Sequence, residues 1–182
     1  MKLLSLVIAP DPLLKQISKP VENVDKFLQE FMDNMVHTMY HEGGIGLASV
    51  QVGVLKRILV MDVDYQYDDS HHHHGESCGH NHFINCNPQY FINPEIIESS
   101  KEISSFKEGC LSFPGARAEV SRPQEVTVKF LDYYGNPQTK SFDGIMATCI
   151  QHEIDHLNGI NFVDRISALK REIILKKIKK TK

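Results

Sequence analysis

The stretch Cys149-Ile150-Gln151-His152-Glu153-Ile154-Asp155-His156-Leu157-Asn158-Gly159 decides how the rest of the chain is read. It holds the pattern H-E-x-x-H. Residues four apart on a helix lie one turn above each other, so His152 and His156 present two imidazoles on one face, as metal chelation requires. Glu153 sits beside that face, where a carboxylate reaches a water at the metal without being a ligand. Asp143 as N-cap, the lack of Pro or Gly from Ile145 to Leu157, and Gly159 as a stop predict the helix. Ile145 and Cys149 share the histidine face, while Met146, Ile150, Ile154 and Leu157 form a second apolar stripe. A helix that is apolar on two sides packs between layers, and histidines buried there need partners. A metal site therefore outweighs a chance occurrence of the motif.

The chain of 182 residues is expected to form one domain over residues 1–182, long enough to bury a core. At 41% hydrophobic and 24% charged residues it reads as a soluble protein. No run approaches the roughly 18 apolar residues that span a bilayer, so no membrane partner is expected. The apolar start, Met1 to Pro10, is too short for a signal peptide and is cut by Pro10 and Pro12, and reads as an early strand and turn. Four cysteines do not suggest a disulfide framework, which fits a reducing, cytoplasmic location. Lys170 to Lys182 holds seven Lys or Arg and one Glu, a local +6 in a chain of net charge -3. Such a tail suits a polyanionic partner or, equally, a solvated helix end with favourable macrodipole charges.

Val24 to Tyr40 reads as a helix, with Leu28, Phe31, Met32, Met35 and Met39 on its core stripe. Gly44-Ile45-Gly46-Leu47-Ala48-Ser49-Val50-Gln51 follows. It lacks the G-K-[ST] of a phosphate loop, and its single amide, Gln51, needs a partner if buried, either structural or a substrate oxygen. Arg57 to Asp64 and Gln89 to Glu98 read as antiparallel strands, with Pro94 marking an edge or a bulge. Between them Asp68 to Asn87 is polar and rich in histidine, the composition of a mobile surface insertion. Glu102 to Phe106, Ala116 to Ser121, Glu125 to Asp132 and Gln138 to Phe142 read as strands, and Asp164 to about Lys179 as a last helix with Ile166, Leu169 and Ile173 inward. Cys110, in Glu108-Gly109-Cys110-Leu111-Ser112, is either a buried small hydrophobe or a third metal ligand. In the second case it completes a Cys-His-His set with one open position, as catalytic sites have.

Taken together and in order, Gly44 to Gln51, Glu108 to Ser112 and Gln151 to His156 resemble the three signature motifs of peptide deformylases, the class with a helical C-terminus. Ser49 stands where the family usually has Ala, and the histidine-rich insertion at about 68–87 is foreign to the pattern but leaves all three motifs intact. The resemblance implies an α+β fold, with antiparallel strands around the motif helix and a C-terminal helix. It implies a metal-dependent hydrolase that takes formate from the formyl-methionine of newly made polypeptides. Cys110, His152 and His156 would hold one divalent ion, Fe(II) foremost, with Zn(II), Ni(II) or Co(II) as substitutes. Glu153 would move the proton, and the Gln51 amide with the Leu111 backbone N–H would face the oxyanion. The backbone near Gly46 would pair with the peptide, and Ile45, Ile145, Thr148 and Cys149 would line the methionine pocket. Formyl-methionyl nascent peptides are the expected partners, with the ribosome reached through the basic C-terminal helix and no sequence-specific nucleic acid.

Two other readings compete. A zinc peptidase would use the same H-E-x-x-H but take its third ligand from a downstream Asp or Glu, leaving Cys110 dispensable. A metal-buffering protein would account for the histidine-rich insertion but not for the other motifs.

Overall fold

The computed structural model describes residues 1–67 and 83–180. In chain order its elements are α1 (Lys26–His41), β1 (Gly46–Ala48), β2 (Ile58–Met61), β3 (Gln66–Tyr67), β4 (Phe83–Ile84), β5 (Gln89–Ser99), β6 (Ile103–Gly109), β7 (Arg117–Pro123), β8 (Glu125–Leu131), β9 (Pro137–Asp143), α2 (Gly144–Leu157) and α3 (Ala168–Lys180). Short 3-10 turns lie at Pro12–Lys15, Ser49–Val52 and Phe162–Arg165. Five strands make one antiparallel sheet in the order β1-β2-β5-β8-β9, and β3–β4 and β6–β7 form separate two-stranded ladders. The fold is α+β, as the motifs imply.

The sheet lies between the first two helices. All four residues of β2 are buried, because alternate side chains enter different cores. Leu59 and Met61 join Ala147, Ile150, Ile154 and Leu157 of α2. Ile58 and Val60 join Met32, Met35 and Met39 of α1 on the other face. The methionine stripe is thus core, and α2 is buried from Ala147 through Leu157. A third cluster, with Ala9, Leu14, Phe113, Phe162 and Ile178, fastens both ends of the described chain to the loop after β6.

Several local expectations need correction. The first ten residues form no strand; they run as a strap, with Val7 N–H donating to the Gln51 carbonyl and Ala9 N–H to that of Ser112. Asp143 occupies the N-cap of α2 without a side-chain cap bond. Pro94 does not mark an edge, since β5 is interior, but the register with β8 does shift between Ile92 and Glu95. The last helix starts at Ala168, because Phe162–Arg165 forms a separate turn. Its inward residues are Ile174, Leu175 and Ile178, while Leu169 and Ile173 are exposed. Of the histidine-rich segment, residues 68–82 lie outside the described residues; at its base β3 and β4 pair antiparallel.

Candidate active site

Helix α2 is the platform. Its spacing brings the His152 and His156 rings to 4.9 Å between centroids. Cys110 follows β6, in a turn closed by Phe113 N–H on its carbonyl at 2.9 Å. Its Sγ lies 3.2 Å from His156 Nε2. Cys110, His152 and His156 each offer a ligand atom, all within 4.8 Å of one another, and they are the group gathered in this way among the described residues. No downstream carboxylate joins them there, contrary to the zinc-peptidase reading.

A chain of buried charges supports one face of this group. His152 Nδ1 lies 2.7 Å from Glu108 Oε2. Glu108 also receives Arg122 Nε at 2.6 Å and Nη2 at 3.0 Å, and Arg122 Nη1 reaches Asp155 Oδ2 at 2.7 Å. Arg165 closes on Asp155 from the other side. Burial alone would raise the Glu108 pKa, but hydrogen bonds from His152 and Arg122 outweigh it and hold the carboxyl at about 2. An ionised carboxylate only accepts, so a proton sits on His152 Nδ1, which leaves Nε2 as the nitrogen a metal would take. At His152 burial opposes the charged ring, yet hydrogen bonds with Cys110 and Glu108 lift its pKa well above the usual value. At His156 burial, reinforced by His152, pushes it well below.

Glu153 is buried, and its Oε2 has no hydrogen-bond partner. Burial raises its pKa to about 7; the charge of His152 counteracts this in part and Glu108 adds to it. Such a carboxylate takes and returns protons near neutrality. Glycine at position 46 is dictated by this packing: a Cβ there would lie 2.7 Å from both Cys149 Sγ and Glu153 Oε1. At Gly44 a Cβ would lie 2.8 Å from Leu111 Cδ1, so the first motif also seats the second.

Gln51 is buried with both ends of its amide engaged. Its Oε1 accepts from Ala48 N–H at 2.8 Å, and its Nε2 lies 3.4 Å from Cys110 Sγ and 3.3 Å from Ser112 Oγ. The donor end is thereby held beside the Cys110 thiol. Strand β1 is an edge of the sheet. The Ile45 carbonyl accepts from Asp62 N–H at 3.0 Å, so alternation turns the backbone groups of Gly46 outward. Ile45 and Ile145 are 39% and 45% exposed, available to an apolar ligand in a way buried core residues are not. Cys149 is buried with Sγ 3.5 Å from the Ile45 carbonyl, and the Thr148 hydroxyl donates to the Gly144 carbonyl at 3.1 Å.

Sequence reasoning missed Arg122 and Arg165, and assigned no role to Glu108 and Asp155 although both lie inside quoted motifs. The available signal was the motif carboxylates themselves: once the helix is read as buried, Asp155 requires a cation.

Comparison with known proteins agrees with this geometry. Residues 3–172 match the family described as polypeptide deformylase. The chain is 48% identical to a peptide deformylase of Brucella suis, over 96% of this chain and 91% of that one. It is 45% identical to a peptide deformylase of Erythrobacter litoralis, over 99% and 97%. The crystal structure of peptide deformylase from Ehrlichia chaffeensis in complex with actinonin superposes with a TM-score of 0.85 at 41% identity, covering 100% of this chain and 99% of that one. With the family matched over nearly the whole chain, and with its three motifs converging on one Cys-His-His group, this chain belongs to the polypeptide deformylase family.

Proposed function

We propose that Cys110, His152 and His156 hold one divalent ion and that Glu153, Gln51 and Leu111 carry out the chemistry beside it. The reaction is the family's: hydrolytic removal of the formyl group from the N-terminal formyl-methionine of newly made polypeptides, releasing formate. The observation that carries the site reading is the convergence of one thiol and two imidazoles within 4.8 Å, next to a buried carboxylate oxygen that has no partner.

The donor set fits a metal. One thiolate and two neutral imidazoles suit ferrous iron, zinc, nickel or cobalt, and Glu108 already sets one imidazole in the ligating tautomer. Ferrous iron is the native ion we assign, following the family resemblance. When bound, the ion supplies Lewis acidity toward the formyl oxygen and acidifies a nearby water. Glu153 takes a proton from the attacking water as it adds to the formyl carbon, then delivers one to the departing amine. The C–N bond breaks to give formate and a free N-terminus. The Gln51 Nε2 donor and the Leu111 backbone N–H stabilise the developing oxyanion. The outward backbone of Gly46 pairs with the extended peptide, and Ile45, Ile145, Thr148 and Cys149 receive the methionine side chain.

Residues 1–182 act as one catalytic domain with an insertion at about 68–87. No helix among the described residues is long and apolar enough to cross a membrane. A cytoplasmic setting, where formylated chains emerge, is the location we assign, with the basic α3 end as a contact to the ribosome. The decisive test is formate release from formyl-Met-Ala-Ser by protein loaded anaerobically with iron(II) or nickel(II). Stoichiometric formate that is abolished by Cys110→Ala supports the assignment. Undiminished activity in that variant would overturn the ligand set.

A further inference from the structure

The segment that leads into edge strand β1 is held by the stretch of chain that follows β2. Gly43 turns with φ at 68°, and the N–H groups of Gly43 and Gly44 donate to the carbonyls of Tyr40 and Met39 at 2.9 Å each, which fixes the exit from α1. The next two carbonyls find partners beyond β2. That of Ile45 accepts from Asp62 N–H at 3.0 Å, and that of Gly44 accepts from the Tyr65 hydroxyl at 3.1 Å. The first bond continues the β1–β2 pairing by backbone alone. The second is supplied by a side chain, at a residue outside the ladder.

Tyr65 is set in place by buried partners. Asp62 is 1% exposed and both its carboxylate oxygens are engaged. Oδ1 accepts from Asp64 N–H at 3.0 Å, a local turn just ahead of Tyr65. Oδ2 accepts from the Tyr40 hydroxyl at 2.5 Å and from Asn87 N–H at 2.6 Å. Tyr40, in the last turn of α1, meets the Tyr65 ring edge to face, with centroids 4.8 Å apart and 72° between the planes. The ring of Tyr65 thus packs with the α1 core, while its hydroxyl serves Gly44. Gly44 is limited elsewhere by Leu111, whose Cδ1 would lie 2.8 Å from a Cβ at that position.

An edge strand accepts a peptide only in the register its own backbone offers, and β1, at three residues, has few ladder bonds with which to hold that register. We propose that Tyr65 is a positioning residue for the peptide-binding edge: its hydroxyl, through the Gly44 carbonyl, fixes Ile45 and Gly46 where an incoming chain pairs with them. The benefit falls on backbone pairing, and so on substrates longer than formyl-methionine itself, rather than on the chemistry at the metal group. This inference rests on the reading that the outward backbone of Gly46 pairs with the extended peptide.

Tyr65→Phe keeps the ring against Tyr40 and removes only the hydroxyl. Nickel(II)-loaded wild type and variant are compared on formyl-Met-Ala-Ser and on formyl-methionine. Amide exchange at Leu47, which pairs with Val60, is followed without substrate. The variant is expected to exchange Leu47 faster and to raise KM for the tripeptide by about 2- to 10-fold, the worth of one hydrogen bond, with kcat nearly unchanged. Both constants for formyl-methionine should stay close to wild type. Tyr65→4-aminophenylalanine returns an N–H donor at the same reach and should restore the tripeptide KM. An unmoved KM, unaltered exchange at Leu47, or no rescue by the amino group overturns the role of the hydroxyl. So does an equal loss on both substrates, which is what general loosening of the fold produces. The peptide-pairing reading fails separately, if wild type handles formyl-methionine as efficiently as the tripeptide, and the proposal then falls with it.

Discussion

Glu153 combines burial, a pKa raised to about 7 and an oxygen without a partner, the profile of a group that handles protons rather than holding the fold together. Glu153→Gln keeps the shape and removes the base. It should retain the metal at wild-type stoichiometry while nearly all turnover disappears. Metal loss in parallel with activity would make Glu153 a ligand or a structural group instead. Gln51→Ala removes the donor beside Cys110. If that donor is used in the transition state, kcat should fall by about 10²- to 10³-fold, or roughly 2.7–4 kcal/mol, with little change in KM. Because Gln51 Oε1 also secures Ala48 N–H at 2.8 Å, a melting curve must accompany the kinetics. An effect confined to KM would place the amide in ground-state binding.

At the scale of elements, α2 owes its position to apolar packing and its chemistry to strand β7. Val120 and Arg122 sit two apart on the inward side of β7 and are both buried, one in the core with Phe113 and the other between Glu108 and Asp155. Removing one partner of a buried charged group leaves the others uncompensated. Arg122→Ala should therefore cost about 3–5 kcal/mol in chemical denaturation and should also weaken metal retention by loosening Glu108 from His152. A loss under 1 kcal/mol would show that water enters and substitutes for the guanidinium. Glu108 stays ionised to about pH 2 in the fold. Its contribution to stability is thus complete above the ordinary carboxyl range, near 4.5, and fades as pH falls from there toward 2.

Across the whole molecule, the peripheral features are separable from the centre to different degrees. Residues 68–82 join β3 to β4, which pair antiparallel with each other. Replacing them with a short Gly-Ser turn should preserve formate release. Their histidines and Cys78 have the composition of a weak zinc site, so the replacement should also abolish a second, weaker zinc population seen at pH 7.5 and lost at pH 5.5, where imidazole is protonated. Equal zinc stoichiometry in the two proteins would dismiss that site. The C-terminal helix is not separable in this way. Ile178 is 5% exposed and packs with Phe113 and Phe162, so truncation at Lys170 would damage the core behind the metal group. Changing Lys176, Lys177 and Lys179 to Gln leaves that face intact. It should reduce salt-sensitive ribosome association while sparing turnover of a short formyl-peptide; unchanged association would make the basic end a solvated surface only.

The legible part of this protein was the part encoded by short spacing. Four-residue separation on a helix places His152 over His156, and the period of the methionines declares the core face of α1. The three motifs together identify the family, and with it Cys110 as the partner of the histidines. The tertiary structure alone decided what supports them. Glu108 meets Arg122 across 14 residues of sequence, Arg122 meets Asp155 across 33, and Glu108 meets His152 across 44. No periodicity spans such distances, and a charged residue in a strand is ordinarily solvated. The inward face of α3 was misjudged for a related reason: Leu169 and Ile173 fit a helical stripe as well as Ile174 and Ile178 do, and only the cluster formed with Phe113 and Phe162 selects between them. Likewise the apolar N-terminus resembles a strand by composition. Its backbone bonds go to Gln51 and Ser112 because those loops, far apart in sequence, converge where the strap passes.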